Sequence, residues 1–269
     1  MDNLIKFSTK LRLYLSIVNC LFFCLVVFGQ ANSKKLIFDH YTLAQGFSSA
    51  QALCITKSHD GYLWIGTEQG LVRFNGHNFK NYLADPFDKK ALSHNYIKHL
   101  KEDRHGRIWI VANEALHIYN PKTDKFQRIE IVINNKPSNT ISGMALFYNA
   151  SDDVMWISSS KGLFYNQGKA IKLQEFFIDG LQGKGNFTQG SIEVLDRCMW
   201  LSNKYGIHRF NFNTCIMDVF HRPGDNPSID NDDDILSSYM EGDSILWLGL
   251  WVNGLVKFNV KTLVVERYE

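Results

Sequence analysis

Trp64-Ile65-Gly66-Thr67-Glu68-Gln69-Gly70-Leu71, running on into Val72-Arg73-Phe74-Asn75, is two short apolar runs joined by a Gly-bounded turn. That pattern reads as a β-hairpin. The chain repeats it. The copies begin at Trp109-Ile110-Val111, Trp156-Ile157-Ser158, Trp200-Leu201-Ser202 and Trp247-Leu248-Gly249, so the Trp-to-Trp steps are 45, 47, 44 and 47 residues. A near-constant period in this range marks a repeat architecture.

Working outward from each hairpin, an apolar stretch precedes it (51–57 and 96–102 in the first two units) and another follows it (79–83, 126–131, 171–177, 216–220 and 263–268). Four strands per unit, all joined by short turns, predict the blades of an all-β propeller, at about 51–83, 96–131, 141–177, 191–220 and 235–269. The Trp on the second strand is expected to fill the space between neighbouring blades. The Gly that follows it is expected to let the chain turn without a Cβ conflict. The connections 134–142, 180–190 and 222–234 are polar or rich in Gly and Pro and are read as loops.

Residues 36–41 alternate like one more outer strand, ahead of the first inner strand. All five units already hold an outer strand of their own. The extra strand therefore has no blade to complete, and the expectation is an incomplete ring, with at least one further blade beyond Glu269.

Residues 1–31 read as a secretory signal: Lys6, Lys10 and Arg12, then a mostly apolar run at 13–28, then the small-x-small site Gly29-Gln30-Ala31. An uncleaved anchor is the alternative, against which the apolar run falls short of the roughly 20 residues that span a bilayer. The chain has 29 basic and 27 acidic side chains; three bases and one acid lie in the leader, leaving 26 of each. A neutral remainder gives no footprint for nucleic acid or an anionic membrane. Beyond the leader, Cys54, Cys198 and Cys215 are odd in number and lack zinc-type spacing; they read as small buried residues.

No Gly-x-Ser-x-Gly elbow, His-Glu-x-x-His pair or P-loop is present, and the nine His are scattered. No catalytic residue, metal ligand or cofactor is assigned. Asp230-Asn231-Asp232-Asp233-Asp234 lacks the spacing of a calcium loop and reads as a solvated acidic loop.

The repeat resembles the two-component regulator propeller repeat. Asp60-Gly61-Tyr62-Leu63-Trp64-Ile65-Gly66-Thr67 followed by Gly70-Leu71-Val72-Arg73-Phe74-Asn75 carries the resemblance, as do Asp103-Arg104-His105-Gly106-Arg107-Ile108-Trp109-Ile110 and Leu246-Trp247-Leu248-Gly249. Unit two departs from it in having Ala115 where the turn Gly belongs, and unit three is one residue short after Gly162. The resemblance implies a periplasmic sensor region, placed before a membrane helix and a histidine kinase, often one that responds to glycans. It implies inner-membrane anchoring of the full-length protein, further blades and a kinase portion as partners, and a possible homodimer. The chain itself is read as no enzyme.

In a four-stranded blade, the loop entering the inner strand and the turn between strands two and three share one rim. That rim is the candidate ligand face. It carries Glu68, Gln69, His94, Asn95, Asn113, Glu114, Tyr205, Trp251 and Asn253, polar groups with aromatics that suit an extracellular small molecule or oligosaccharide. A propeller enzyme of lyase type and a protein-interaction propeller are the other readings. The first requires convergent groups with perturbed pKa values at the channel; the second requires an exposed apolar patch.

Overall fold

The computed structural model describes residues 41–49, 51–133, 136–138, 142–176, 191–195, 197–203, 206–221, 235–250 and 254–268. The leader and most of the 36–41 strand lie outside the described residues; Tyr41 itself is in no strand.

After a 3₁₀ turn at Leu43–Gln45, every element among the described residues is a strand. Blade 1 is β1 (Ala52–Lys57), β2 (Leu63–Thr67), β3 (Gly70–Phe74) and β4 (Phe79–Tyr82); blade 2 is β5 (Ile97–Glu102), β6 (Ile108–Ala112), β7 (Ala115–Asn120) and β8 (Lys125–Ile129). A short hairpin follows, β9 (Ile131–Ile133) with β10 (Lys136–Ser138), the second of which falls in the stretch 134–142 that the sequence reads as a loop. Blade 3 is β11 (Ala145–Asn149), β12 (Val154–Ser159), β13 (Gly162–Gln167) and β14 (Gln174–Phe176); blade 4 is β15 (Ser191–Leu195), β16 (Cys198–Asn203), β17 (Gly206–Asn211) and β18 (Ile216–His221). Blade 5 is β19 (Ile235–Glu241), β20 (Ile245–Leu250), β21 (Leu255–Asn259) and β22 (Val265–Tyr268). Each blade is a four-stranded antiparallel sheet in chain order, so the arrangement is a five-blade propeller.

Strand periodicity sends alternate side chains to opposite faces, and both faces of a middle blade are dry. In β6 all five residues are buried. The core lies between blades, as four clusters: Trp64 with Ile108, Ile110 and Tyr119; Trp109 with Met155, Ile157 and Phe164; Trp156 with Met199, Leu201 and Phe210; Trp200 with Leu246, Leu248 and Phe258. Five blades closed in a ring would need a fifth cluster. Among the described residues none joins blade 5 to blade 1. Inner strand β1 packs beside β5, β5 beside β11, β11 beside β15 and β15 beside β19, with no comparable contact from β19 to β1. The ring is open.

The tryptophans report the same opening. Trp64, Trp109, Trp156 and Trp200 are 2%, 0%, 6% and 4% exposed. Trp247, at the same register, is only half-buried. It shares its face with Tyr239 and Lys257, and one row away with Leu255 and Tyr268. Tyr239 is 66% exposed. Among the described residues no other blade covers this face.

Two expectations need correction. Gly66 is not at a turn but inside β2. A Cβ there would sit 2.4 Å from Cys54 Sγ and 2.7 Å from Ile97 Cγ2, so the missing side chain makes room for the first residue of the next blade's inner strand. Cys215 is exposed, in the turn before β18, with φ 56°, rather than buried in a strand.

Candidate functional site

The two rims differ. On the rim of the β1–β2 type turns, charged side chains staple neighbouring blades. Glu102 accepts from the His59 backbone N–H at 2.8 Å and lies 2.6 Å from His59 Nδ1. His105 Nε2 is 3.0 Å from Asp153, and Arg107 donates to the carbonyls of Lys169 and Gly168. At the turn before β8, Asp124 accepts from the hydroxyls of Tyr82 and Tyr119, both at 2.7 Å, and pairs with Lys80. Burial pushes the Asp124 carboxyl up, but the donors Lys80, Tyr82 and Tyr119 outweigh it and bring it down to about 2.

The opposite rim carries the candidate face, and hydrogen bonds set its shape. Asn113 N–H donates to Tyr96 O at 2.7 Å and Ser160 N–H to Ser142 O at 3.0 Å. The turn between strands two and three is thus tied to the loop entering the inner strand in blades 2 and 3. Asn113 takes φ 54°, a conformation Asn tolerates better than most residues.

The expected site residues separate. Glu68 and Gln69 form an exposed turn fixed by Thr67, whose hydroxyl donates to Gly70 O and accepts from Gln69 N–H. His94 is exposed, with Nδ1 3.0 Å from Ser93 Oγ. Asn95 spends its carbonyl oxygen on Ala84 N–H at 2.7 Å, which folds the loop between blades 1 and 2. Glu114 is half-buried and lines a small cavity of about 90 Å³ shared with Arg128 and Ser138. Tyr205, Trp251 and Asn253 lie outside the described residues, as does the 230–234 acidic run. Among the described residues, no group of three or more His, Cys, Asp or Glu is placed to hold a metal ion, and no helix is long and apolar enough to cross a membrane.

A wide concavity lies on the flank of this rim. The crossover loop 84–95 folds over the outer half of blade 2, held by Asp85 N–H to Leu92 O and Phe126 N–H to Lys90 O. Between loop and sheet is a groove of about 980 Å³. Its floor is His117, 1% exposed, from β7. Ser93 brings both its hydroxyl, at 2.9 Å, and its backbone N–H, at 3.4 Å, to His117 Nε2. A backbone N–H can only donate, so Nε2 accepts and the ring is neutral with its proton on Nδ1. Burial pushes His117 down to about 4, with Arg128 and His94 adding to the shift.

Sequence reasoning missed His117. The signal was in the repeat. The residue paired with the position after each Trp is Val72, Phe164 or Val256 in blades 1, 3 and 5, all buried, but His117 and His208 in blades 2 and 4.

The model of the two component regulator propeller matches residues 46–69 and 91–114, which hold the first two strands of blades 1 and 2 and the turn that follows them. Histidine kinase P4 of Formosa agariphila is 34% identical over 73 residues, which are 27% of this chain and 5% of that protein. The extracellular domain of a hybrid two component system of B. thetaiotaomicron superposes with a TM-score of 0.69 at 21% identity, over 85% of this chain and 31% of that one. A second such domain from the same organism gives 0.51 at 19% identity, over 81% and 36%. Virginiamycin B lyase from Staphylococcus aureus gives 0.57 at 14% identity, over 83% and 71%, a likeness of fold alone. The chain spans about a third of the first two solved relatives and a twentieth of the kinase.

Proposed function

We infer, from the match of blades 1 and 2 to the two component regulator propeller, that the chain is the ligand-sensing propeller region of a two-component signal transduction sensor. The observation that carries this is the family match to the first two strands of blades 1 and 2 and the turns after them, segments that hold Glu68, Gln69, His94, Asn95, Asn113 and Glu114 of the candidate face. The sensor detects an extracellular small molecule, such as an oligosaccharide, on the rim of Glu68, Gln69, His94, Asn113 and Glu114. Occupancy shifts the balance between packing states of the blades, because a ligand moves an equilibrium only by binding one state better. The shift is passed to a membrane and kinase portion.

In this reading residues 1–31 export the chain to the periplasm, and the full-length protein is anchored in the inner membrane. Further blades follow blade 5; the half-buried Trp247 and exposed Tyr239 support this, since both sit where blades 1 to 4 each receive a neighbour. A homodimer of the full-length sensor belongs to the same proposal.

The test is a thermal-shift and calorimetric screen of the chain against neutral and acidic oligosaccharides. The reading expects at least one to raise the unfolding midpoint and lose its effect in a Glu68→Ala, Gln69→Ala, Glu114→Ala triple variant. A screen in which no saccharide binds below about 10 mM, roughly 2.7 kcal/mol of affinity, would refute it.

A further inference from the structure

We propose that the groove between the crossover loop 84–95 and blade 2 is a binding site for a small hydroxylated organic anion of mono- to disaccharide size. This rests on the ligand-sensing reading and goes beyond it: the groove is a second site, on the flank of blade 2 beside the rim, and its ligand carries a charge.

Three observations converge. The first is volume. About 980 Å³ is at the upper end of what small-molecule sites enclose. The second is the floor. The position of His117 is one that packing fills with Val or Phe in blades 1, 3 and 5. A buried polar group at an apolar position costs stability unless it is bonded, and His117 Nδ1 is buried with no partner. What the substitution provides is the fixed pair with Ser93. Because Ser93 O–H is committed to His117 Nε2, the lone pairs of Ser93 Oγ are left to accept from a ligand hydroxyl or from His94.

The third is charge. Lys89, Lys90 and Lys125 line the groove, and none forms an ion pair among the described residues. Of the carboxylates lining it, Asp85 accepts from Phe87 N–H at 2.9 Å and Asp88 from Lys90 N–H at 2.8 Å, so both are engaged in shaping the loop. Glu130 is the third. Unpaired lysines above a floor of hydrogen-bonding side chains suit an anion that also offers hydroxyls, because point-charge ammonium groups take a carboxylate without a fixed fork geometry.

The test uses the whole chain with glucuronate, glucose and sodium sulfate as probes, followed by calorimetry. Glucuronate is expected to bind at least tenfold more tightly than glucose. Lys90→Gln with Lys125→Gln is expected to erase that advantage, while Lys57→Gln, on blade 1, keeps it. Sulfate is expected to compete with glucuronate weakly, since it brings charge without the hydroxyl contacts. His117→Val restores the residue used in blades 1 and 5, so it keeps the packing; it is expected to weaken glucuronate at least fivefold with the unfolding midpoint unchanged or raised. Equal binding of glucose and glucuronate would overturn this proposal and leave the sensing reading standing. So would tight binding of an acidic sugar that ignores all three substitutions. No binding of glucuronate up to 10 mM would overturn it as well.

Discussion

Trp109→Ala and Trp247→Ala are the same chemical change at the same register of two blades. Trp109 is fully buried between blades 2 and 3, and its Nε1–H donates at 2.7 Å to Asp103, whose side chain is 1% exposed. Truncating a buried Trp costs about 3–5 kcal/mol. Taking one donor from a buried carboxylate adds about 1–2 kcal/mol, softened here because Asp103 keeps Arg107 and the N–H groups of His105 and Arg107. The expected loss is therefore about 5 kcal/mol, or roughly 10–20 °C at about 2–4 °C per kcal/mol for a chain of this size. Trp247 is half-buried, and its Nε1–H goes to the exposed Glu241. Its truncation is expected to cost about 1 kcal/mol or less. Urea unfolding followed by far-UV circular dichroism, with calorimetry for the midpoint, measures both. Equal losses at the two positions would mean that Trp247 is covered in solution, and the reasoning from an open ring would fail.

Three other outcomes follow from the seams. The Asp124 carboxyl is held at about 2, below its unfolded value of about 3.9, so its contribution is fully present above about pH 4 and is lost as pH falls through about 2. Urea midpoints at pH 6 and pH 2.5 should therefore diverge more in the parent chain than in Asp124→Asn. Hydrogen bonding to Glu102, reinforced by its charge, raises His59, whereas burial lowers His117 to about 4. NMR titration should then find His59 gaining its proton above pH 6.5 and His117 still neutral at pH 5; any stability that the His59 pair adds is present at low pH and fades as pH rises through the raised value. Gly66→Ala should cost about 1–3 kcal/mol by overpacking, since Cβ meets Cys54 Sγ and Ile97 Cγ2. Cys54→Ala in the same chain should recover part of that loss, and no recovery would show that Ile97 carries the clash.

The repeat and its hairpin were legible because both are local. An apolar run, a Gly-bounded turn and a second apolar run define strands two and three without reference to anything distant. A period near 45 residues makes those strands blades. The candidate rim was legible as topology, since connection order alone puts two kinds of turn on one side. Its chemistry was not. Asn95 looked like a rim ligand and is a loop staple because Ala84, 11 residues earlier, turns back to meet it. Likewise, Ser159 sits on the rim but is fully buried, with its hydroxyl donating to Gly162 O.

The amino-acid sequence alone determined the blade, the number of units and the expectation that the set does not close, because strand pairing inside a blade joins neighbours in the chain. Only the tertiary structure decided which face each Trp presents to the next blade, why Gly66 has no side chain, and that His117 lies beneath Ser93. Those depend on contacts between residues 24 to 46 positions apart, such as Ser93 with His117 or Arg73 with Tyr119. Such contacts form only when a blade or a crossover loop is laid against a neighbouring sheet, and no periodicity within a blade encodes which side chain the neighbouring surface will meet.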